Sequence, residues 1–340
     1  MKKQIRRDIV TGISITLGLL LGAEIILRVY AKLKWSPVLS WEWQIVDSEL
    51  VARLKPGFKS EALKINSLGF RGEEISIEKP KNIFRIVVMG DSVPFGFLSK
   101  NSFPEELQNI LNFRKPRGSP WHFEVVNTGV PGYTSWQVLK MFKKDVISLK
   151  PDLLLIYVGL NDIWSHNPFN PKSKATDFIN TICRKVYIVK FMFKLLEHSQ
   201  TSLFLRKDFE ERKRMLESFY PAYFAENLRN IVKEAKKINC KVVFLTLPTT
   251  LHLKNNPKKK IQFPSLGSNP ELYLLLWSRY DHALKEISTQ EKIYLIDLVK
   301  ELRKIPEASK LFMDDTHFNE KGNRTIAEVI YKNLLGFGLF

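Results

Sequence analysis

The chain has 340 residues, 44% of them apolar, and carries 53 lysines and arginines against 35 acids for a formal charge of +18. That apolar share suffices for a sizeable core and excludes disorder as the default, while the charge favours anionic partners. The sequence has no zinc-finger spacing, aromatic RNP-like run or single dense basic patch, so no nucleic acid is expected, and anionic phospholipid or acidic polysaccharide fits the charge better.

The chain opens with Lys2, Lys3, Arg6 and Arg7, and then runs from Ile9 to Leu27 with Glu24 as its only charge. That is about the length one helix needs to span hydrocarbon. Signal cleavage wants small residues at positions minus three and minus one, yet Val29-Tyr30-Ala31 and Leu21-Gly22-Ala23 each put a larger residue at minus three. An uncleaved signal anchor over residues 1–32 is therefore expected, with Glu24 snorkelling to the interface. Basic residues flank both ends (Arg28, Lys32 and Lys34 follow), so the orientation signal is weak. The expected topology is single-pass, with a cytoplasmic N-terminus and the body of the chain extracytoplasmic. Residues 33–80 carry Trp35, Trp41, Trp43, Pro37, Pro56 and Gly57, which suits a juxtamembrane linker and N-terminal extension more than a packed element.

Five short apolar runs then read as buried parallel strands: Phe84 to Met89, Phe123 to Asn127, Leu153 to Val158, Lys241 to Leu247 and Ile293 to Leu298. Helical periodicity marks Phe103 to Phe113, Ser135 to Leu149, Ala222 to Lys237, Glu271 to Ile287 and Glu320 to Leu335. The alternation predicts an α/β domain over 81–340 built on a doubly wound, mostly parallel sheet, with its ligand site at the carboxyl ends of the strands. From about 164 to 221 the rhythm breaks and a helical insertion is expected. Within it, Arg184 to Leu196 interleaves basic and large apolar residues, which reads as a lid or lipid-touching surface or else as a helix with its lysines in water. Lys254 to Lys260 reads as a solvated loop. Cys183 and Cys240 are too far apart for a CxxC pair and too few for a metal cluster. Two buried free thiols are expected, with one disulfide as the alternative in an oxidising compartment.

Polar residues collect where these strands end. The first strand runs into Gly90-Asp91-Ser92, the second into Asn127-Thr128-Gly129-Val130-Pro131-Gly132, and the third into Gly159-Leu160-Asn161-Asp162. Asp314-Asp315-Thr316-His317 precedes the last helix. Each piece alone is explained by turns and helix caps. Together, in this order, they resemble the four sequence blocks of the SGNH/GDSL hydrolases, across about residues 84 to 335. Ile65-Asn66-Ser67-Leu68-Gly69-Phe70-Arg71-Gly72 also resembles a segment found ahead of the first block in membrane-anchored bacterial members. Two features depart from the family pattern: Val93 stands where leucine is usual, and the long insertion interrupts the compact core.

The resemblance implies a flavodoxin-like three-layer α/β/α sandwich with a five-stranded parallel sheet. It implies a serine ester hydrolase with Ser92 as nucleophile, His317 as general base and Asp314 as its orienter. Ser92 N–H, Gly132 N–H and the Asn161 side-chain amide would form the oxyanion hole. No metal or cofactor is needed. Asp91, Asp162 and Asp315 are left with structural roles. The expected substrates are O-acyl, especially acetyl, esters of cell-envelope carbohydrate, or lipid esters. The alternatives are an O-acyltransferase using the same triad and an inactive carbohydrate- or lipid-binding relative.

Overall fold

The computed structural model describes residues 2–34, 42–116, 118–165, 203–253 and 269–340, together with Ile188 and Met192. Helix α1 (Lys2–Lys34) contains Val10–Val29, the one helix among the described residues long and apolar enough to cross a membrane. Its apolar side chains lack protein cover; Leu19, for instance, is 70% exposed. Glu24 lies near the far end of that span. Its carboxylate pairs with Arg28 at 2.8 Å and accepts the N–H of Ile188 at 2.9 Å.

From residue 42 onward the extension is packed, contrary to the expectation of a linker. Strands β1 (Gln44–Asp47) and β2 (Val51–Leu54) form an antiparallel hairpin whose turn is held by Asp47 Oδ1, which accepts the N–H groups of Glu49 and Leu50. Leu50, Leu54, Ile65 and Phe70 are all buried. The two strands are only four residues long, too short for a period to announce them, and their burial partners lie far away in sequence. Tyr133 OH donates to Ala52 O at 2.7 Å and Gln137 Nε2 to Leu50 O at 2.9 Å, fastening the hairpin to the main body.

The apolar runs become β3 (Ile83–Gly90), β4 (His122–Asn127), β5 (Leu153–Tyr157), β6 (Lys241–Leu245) and β7 (Tyr294–Ile296), within one or two residues of the expected bounds at most ends. They form one parallel sheet in the order β4-β3-β5-β6-β7. This is the flavodoxin-like order, and its switch point lies between β3 and β5. Every side chain of β5 is buried, as expected of a central strand covered on both faces.

The intervening helices are α2 (Ser92–Phe95), α3 (Phe103–Phe113), α4 (Ser135–Met141), α5 (Leu160–Ser165), α6 (Phe209–Glu217), α7 (Ala222–Lys237), α8 (Pro270–Glu291), α9 (Leu298–Leu302) and α10 (Glu320–Gly336). One layer packs α3 on α10, and the other packs α4 on α7 and α7 on α8. The helix expected to run to Leu149 is α-helical only as far as Met141, then continues as a π turn (Phe142–Val146) and a 3-10 turn (Ile147–Leu149).

The outer edge of β4 is closed by side chains of α3. Gln108 accepts from Val125 N–H, and Asn112 both accepts from and donates to the backbone of Phe123. Of the expected insertion, α6 falls in the described part, where Asp208 caps it and Leu216 is buried. Arg184–Leu196 lies outside the described residues except for Ile188 and Met192, and Lys254–Lys260 and Cys183 lie wholly outside them. Cys240 is a buried free thiol whose pKa burial pushes up to about 12.

Candidate active site

At the end of β3 the chain must turn away from β5 without room for a side chain. A Cβ on Gly90 would fall 1.9 Å from the Tyr157 carbonyl oxygen. Asp91 then caps the single turn of α2, its Oδ1 accepting the Val93 N–H at 3.0 Å, so Ser92 is the first residue of that turn. Gly96, at φ +77°, ends the turn. Asp91 is fully buried and its Oδ2 has no partner among the described residues. Burial, only partly offset by the Val93 N–H and the nearby His317, pushes its carboxyl up to about 7.

The other end of the sequence meets Ser92 here. Met313 N–H donates to His317 O at 2.8 Å and closes a tight loop just ahead of α10. Within that loop Asp314 Oδ1 accepts the backbone N–H groups of Thr316 and His317 at 2.8 and 2.7 Å. Its Oδ2 lies 2.7 Å from His317 Nδ1, and His317 Nε2 lies 2.8 Å from Ser92 Oγ. Partial burial tends to raise the Asp314 carboxyl, but the hydrogen bonds from the His317 ring and the two N–H groups prevail and hold it at about 2. The Phe97 ring packs on the imidazole, with centroids 5.3 Å apart.

The remaining expected residues border the same spot. Val130 N–H donates to Gly90 O at 3.2 Å, which brings the turn after β4 alongside the Ser92 turn. Gly132, at φ +86°, takes a conformation that favours glycine. Asn161 follows β5 and donates one amide N–H to Tyr133 O at 3.1 Å, which sets its side chain beside the Gly132 turn. The three other aspartates do structural work. Asp162 is buried and accepts Ser135 N–H and Oγ at 2.8 and 2.6 Å, holding the start of α4. Asp315 accepts from Thr249 and Thr250, tying the loop after β6 to the His317 loop.

Several contributors carry no catalytic signature in sequence. Asn127 Nδ2 donates to Pro94 O at 2.7 Å and its Oδ1 accepts Gly129 N–H at 3.0 Å, joining the second turn to the first. Trp43 stacks on Phe95 at 5.0 Å. Arg71 reaches the loop after α2. Only the Ile65–Gly72 segment, through its resemblance, drew attention to Arg71 in the sequence.

A second polar cluster lies between α8 and the segments that follow β6 and β7. A cavity of about 490 Å3 is bordered by His252, Asp281, His282, Lys285, Asp297 and Arg303, among others. Asp281 Oδ1 is shut off from solvent without a hydrogen-bond partner among the described residues, and burial pushes its carboxyl up to about 7. Burial, with Arg303 nearby, pushes His252 down to about 4.

Residues 88–325 match the model of the GDSL-like lipase/acylhydrolase family. The chain belongs to this family, and it is an ester hydrolase of the SGNH/GDSL type. Among solved structures it is similar to the acetyl xylan esterase AlAXEase, at 16% identity and a TM-score of 0.47 over 74% of this chain and 99% of that one. It is also similar to a lipase/acylhydrolase from Enterococcus faecalis, at 19% identity and a TM-score of 0.45 over 74% and 95% of the two chains. A mutant of Axe2, an acetyl-xylooligosaccharide esterase from Geobacillus Stearmophilus, gives 16% identity and a TM-score of 0.46 over 74% and 93%. A search of curated proteins gives no match.

Proposed function

We propose that Ser92 is the nucleophile of a serine esterase, with His317 as general base and Asp314 as its orienter. The observation that carries this reading is the unbroken run of contacts from Asp314 Oδ2 through His317 to Ser92 Oγ, at 2.7 and 2.8 Å. Asp314 remains ionised at neutral pH and holds the proton on Nδ1, which leaves Nε2 to accept the hydroxyl proton as Ser92 attacks the ester carbonyl. The alcohol leaves with a proton returned by His317. The acyl-enzyme is resolved by water activated at the same nitrogen. Ser92 N–H, Gly132 N–H and the second amide N–H of Asn161 stabilise the tetrahedral oxyanion.

The substrate we infer is an O-acyl ester of cell-envelope carbohydrate, with acetyl as the acyl group. Ser92 and His317 are 8% and 9% exposed, and such narrow access suits a small acyl group. The strongly basic chain suits an acidic envelope polymer. Helix α1 is proposed as a single-pass anchor with the catalytic body, about residues 81–340, outside the cytoplasm. The test uses the full chain in detergent with p-nitrophenyl acetate. The wild type is expected to turn over and Ser92→Ala to fall by at least about 10⁴-fold; equal rates overturn the proposal. Adding an acceptor glycan and looking for acylated product distinguishes transfer from hydrolysis.

A further inference from the structure

The residues that hold Ser92 and His317 in register do not all belong to the matched stretch 88–325. Arg71 lies upstream of it, at the end of a tight loop in which Asn66 Oδ1 accepts the N–H groups of Leu68 and Phe70, and Gly69 sits at φ +81°. The Arg71 backbone N–H donates to Asn127 O at 3.2 Å. Its guanidinium donates through Nη1 to Gly96 O at 3.0 Å, and through Nη2 to Ser99 O and Lys100 O at 2.9 and 2.7 Å. It also lies over the Phe95 ring, 5.2 Å from the centroid. The residue is 8% exposed. Glu105 attracts the buried cation without touching it, and what the contacts to neutral carbonyls provide is geometry: a planar fork reaching three backbone oxygens at once, which a lysine ammonium cannot reproduce.

The gripped segment, residues 96–100, runs directly from the Ser92 turn and carries Phe97 onto the His317 ring. Its far side is held from α10, where Asn323 Nδ2 donates to Ser99 Oγ at 3.1 Å. The loop is thus fixed between the extension on one side and the helix following His317 on the other. We propose that Arg71 is a positioning residue for ester cleavage, holding the 96–100 loop so that Phe97 keeps the His317 imidazole in line with Ser92 Oγ. This rests on the reading of Ser92 and His317 above.

The test compares Arg71→Ala, Arg71→Lys and Phe97→Ala with wild type, as full chains in detergent, measuring kcat, KM and melting temperature. A displacement of about 1 Å between reacting groups is worth about 10²-fold in rate. Arg71→Ala is therefore expected to lower kcat by about that factor with KM little changed, and Arg71→Lys to recover only part of the loss. Arg71 also borders an open groove of about 560 Å3. Added guanidinium ion is therefore expected to enter the vacated space and restore part of kcat in Arg71→Ala but not in wild type, which a merely structural role would not produce. A folded Arg71→Ala enzyme with wild-type kcat overturns the proposal, as does a fall in melting temperature alone. Should Arg71→Ala fail to fold, Phe97→Ala decides: reduced kcat at unchanged KM supports the proposal, and wild-type kcat overturns it. Ser92→Ala separates the two levels. If it keeps full rate, the triad reading has failed; if it is inactive while Arg71→Ala is fully active, only the positioning role has failed.

Discussion

Two groupings of aspartate and histidine, Asp314 with His317 ahead of α10 and Asp281 of α8 with His252 after β6, are driven in opposite directions. Asp314 is half-exposed, accepts two backbone N–H groups and the His317 ring, and is held at about 2. Asp281 and His252 border a cavity where burial outweighs their partners, leaving the acid near 7 and the imidazole near 4. The first pair keeps a fixed negative charge against an imidazole that, on the proposed mechanism, gains a proton during turnover; the second has an imidazole that stays neutral at physiological pH. Residue type does not separate them. Hydrogen bonds to the charged form do, because they reverse the sign of what burial alone imposes.

The contrast can be broken most sharply at Asp314. Asp314→Asn keeps the shape but loses the charge and the tautomer control, so kcat should fall by roughly 10³- to 10⁴-fold with the fold intact, as read by ester turnover alongside circular dichroism. A loss under tenfold would mean that His317 is oriented by something else. Next in size is Asn161→Ala, which removes one proposed oxyanion donor and should cost about 10² to 10³ in kcat with little change in melting temperature. The smallest effect is expected at the other pair. The raised pKa of Asp281 means that the folded state holds a proton the unfolded state has released, so stability falls as pH rises from about 4 to 7. Asp281→Asn should remove that slope. Denaturant unfolding is expected to show the variant gaining roughly 2–3 kcal/mol on wild type between pH 5 and pH 8, at unchanged esterase rate. Parallel stability curves would show that Asp281 stays charged. Asp314 acts with the reverse sign: its contribution is present above about pH 4 and is lost as pH falls towards 2.

Much of this was legible in the sequence where local chemistry coincides with the final environment. The Leu153 run is apolar at every position and becomes a central strand. Phe103–Phe113 and Ala222–Lys237 have the bounds their periodicity predicts. Ser92, His317 and Asp314 were singled out through the resemblance of the four junction blocks to the SGNH/GDSL hydrolases, and the structure brings their side chains together. The hairpin at 44–54 was not legible, since its strands are only four residues long and its buried Leu50 and Leu54 are covered by residues distant in sequence. Nor was Asp281. It follows Tyr280 on the margin of the apolar face of α8, and only the packing around that helix shuts its Oδ1 away from water. Arg71 gave no chemical cue of its own, because its partners are main-chain carbonyls that any residue could supply.

The stacking of Trp43 on Phe95 sets a length scale. Only eight peptide steps separate Lys34, the last residue of α1, from Glu42, whatever course they take. A chain that short reaches about 30 Å at full stretch. With α1 in a bilayer, the turn bearing Ser92 is therefore leashed within a shallow layer above the lipid. On the proposed function, polymer threads passing through that layer are deacylated, while those further out must first diffuse or be drawn inward. A catalytic body anchored in this way would select substrate by altitude as well as by chemistry.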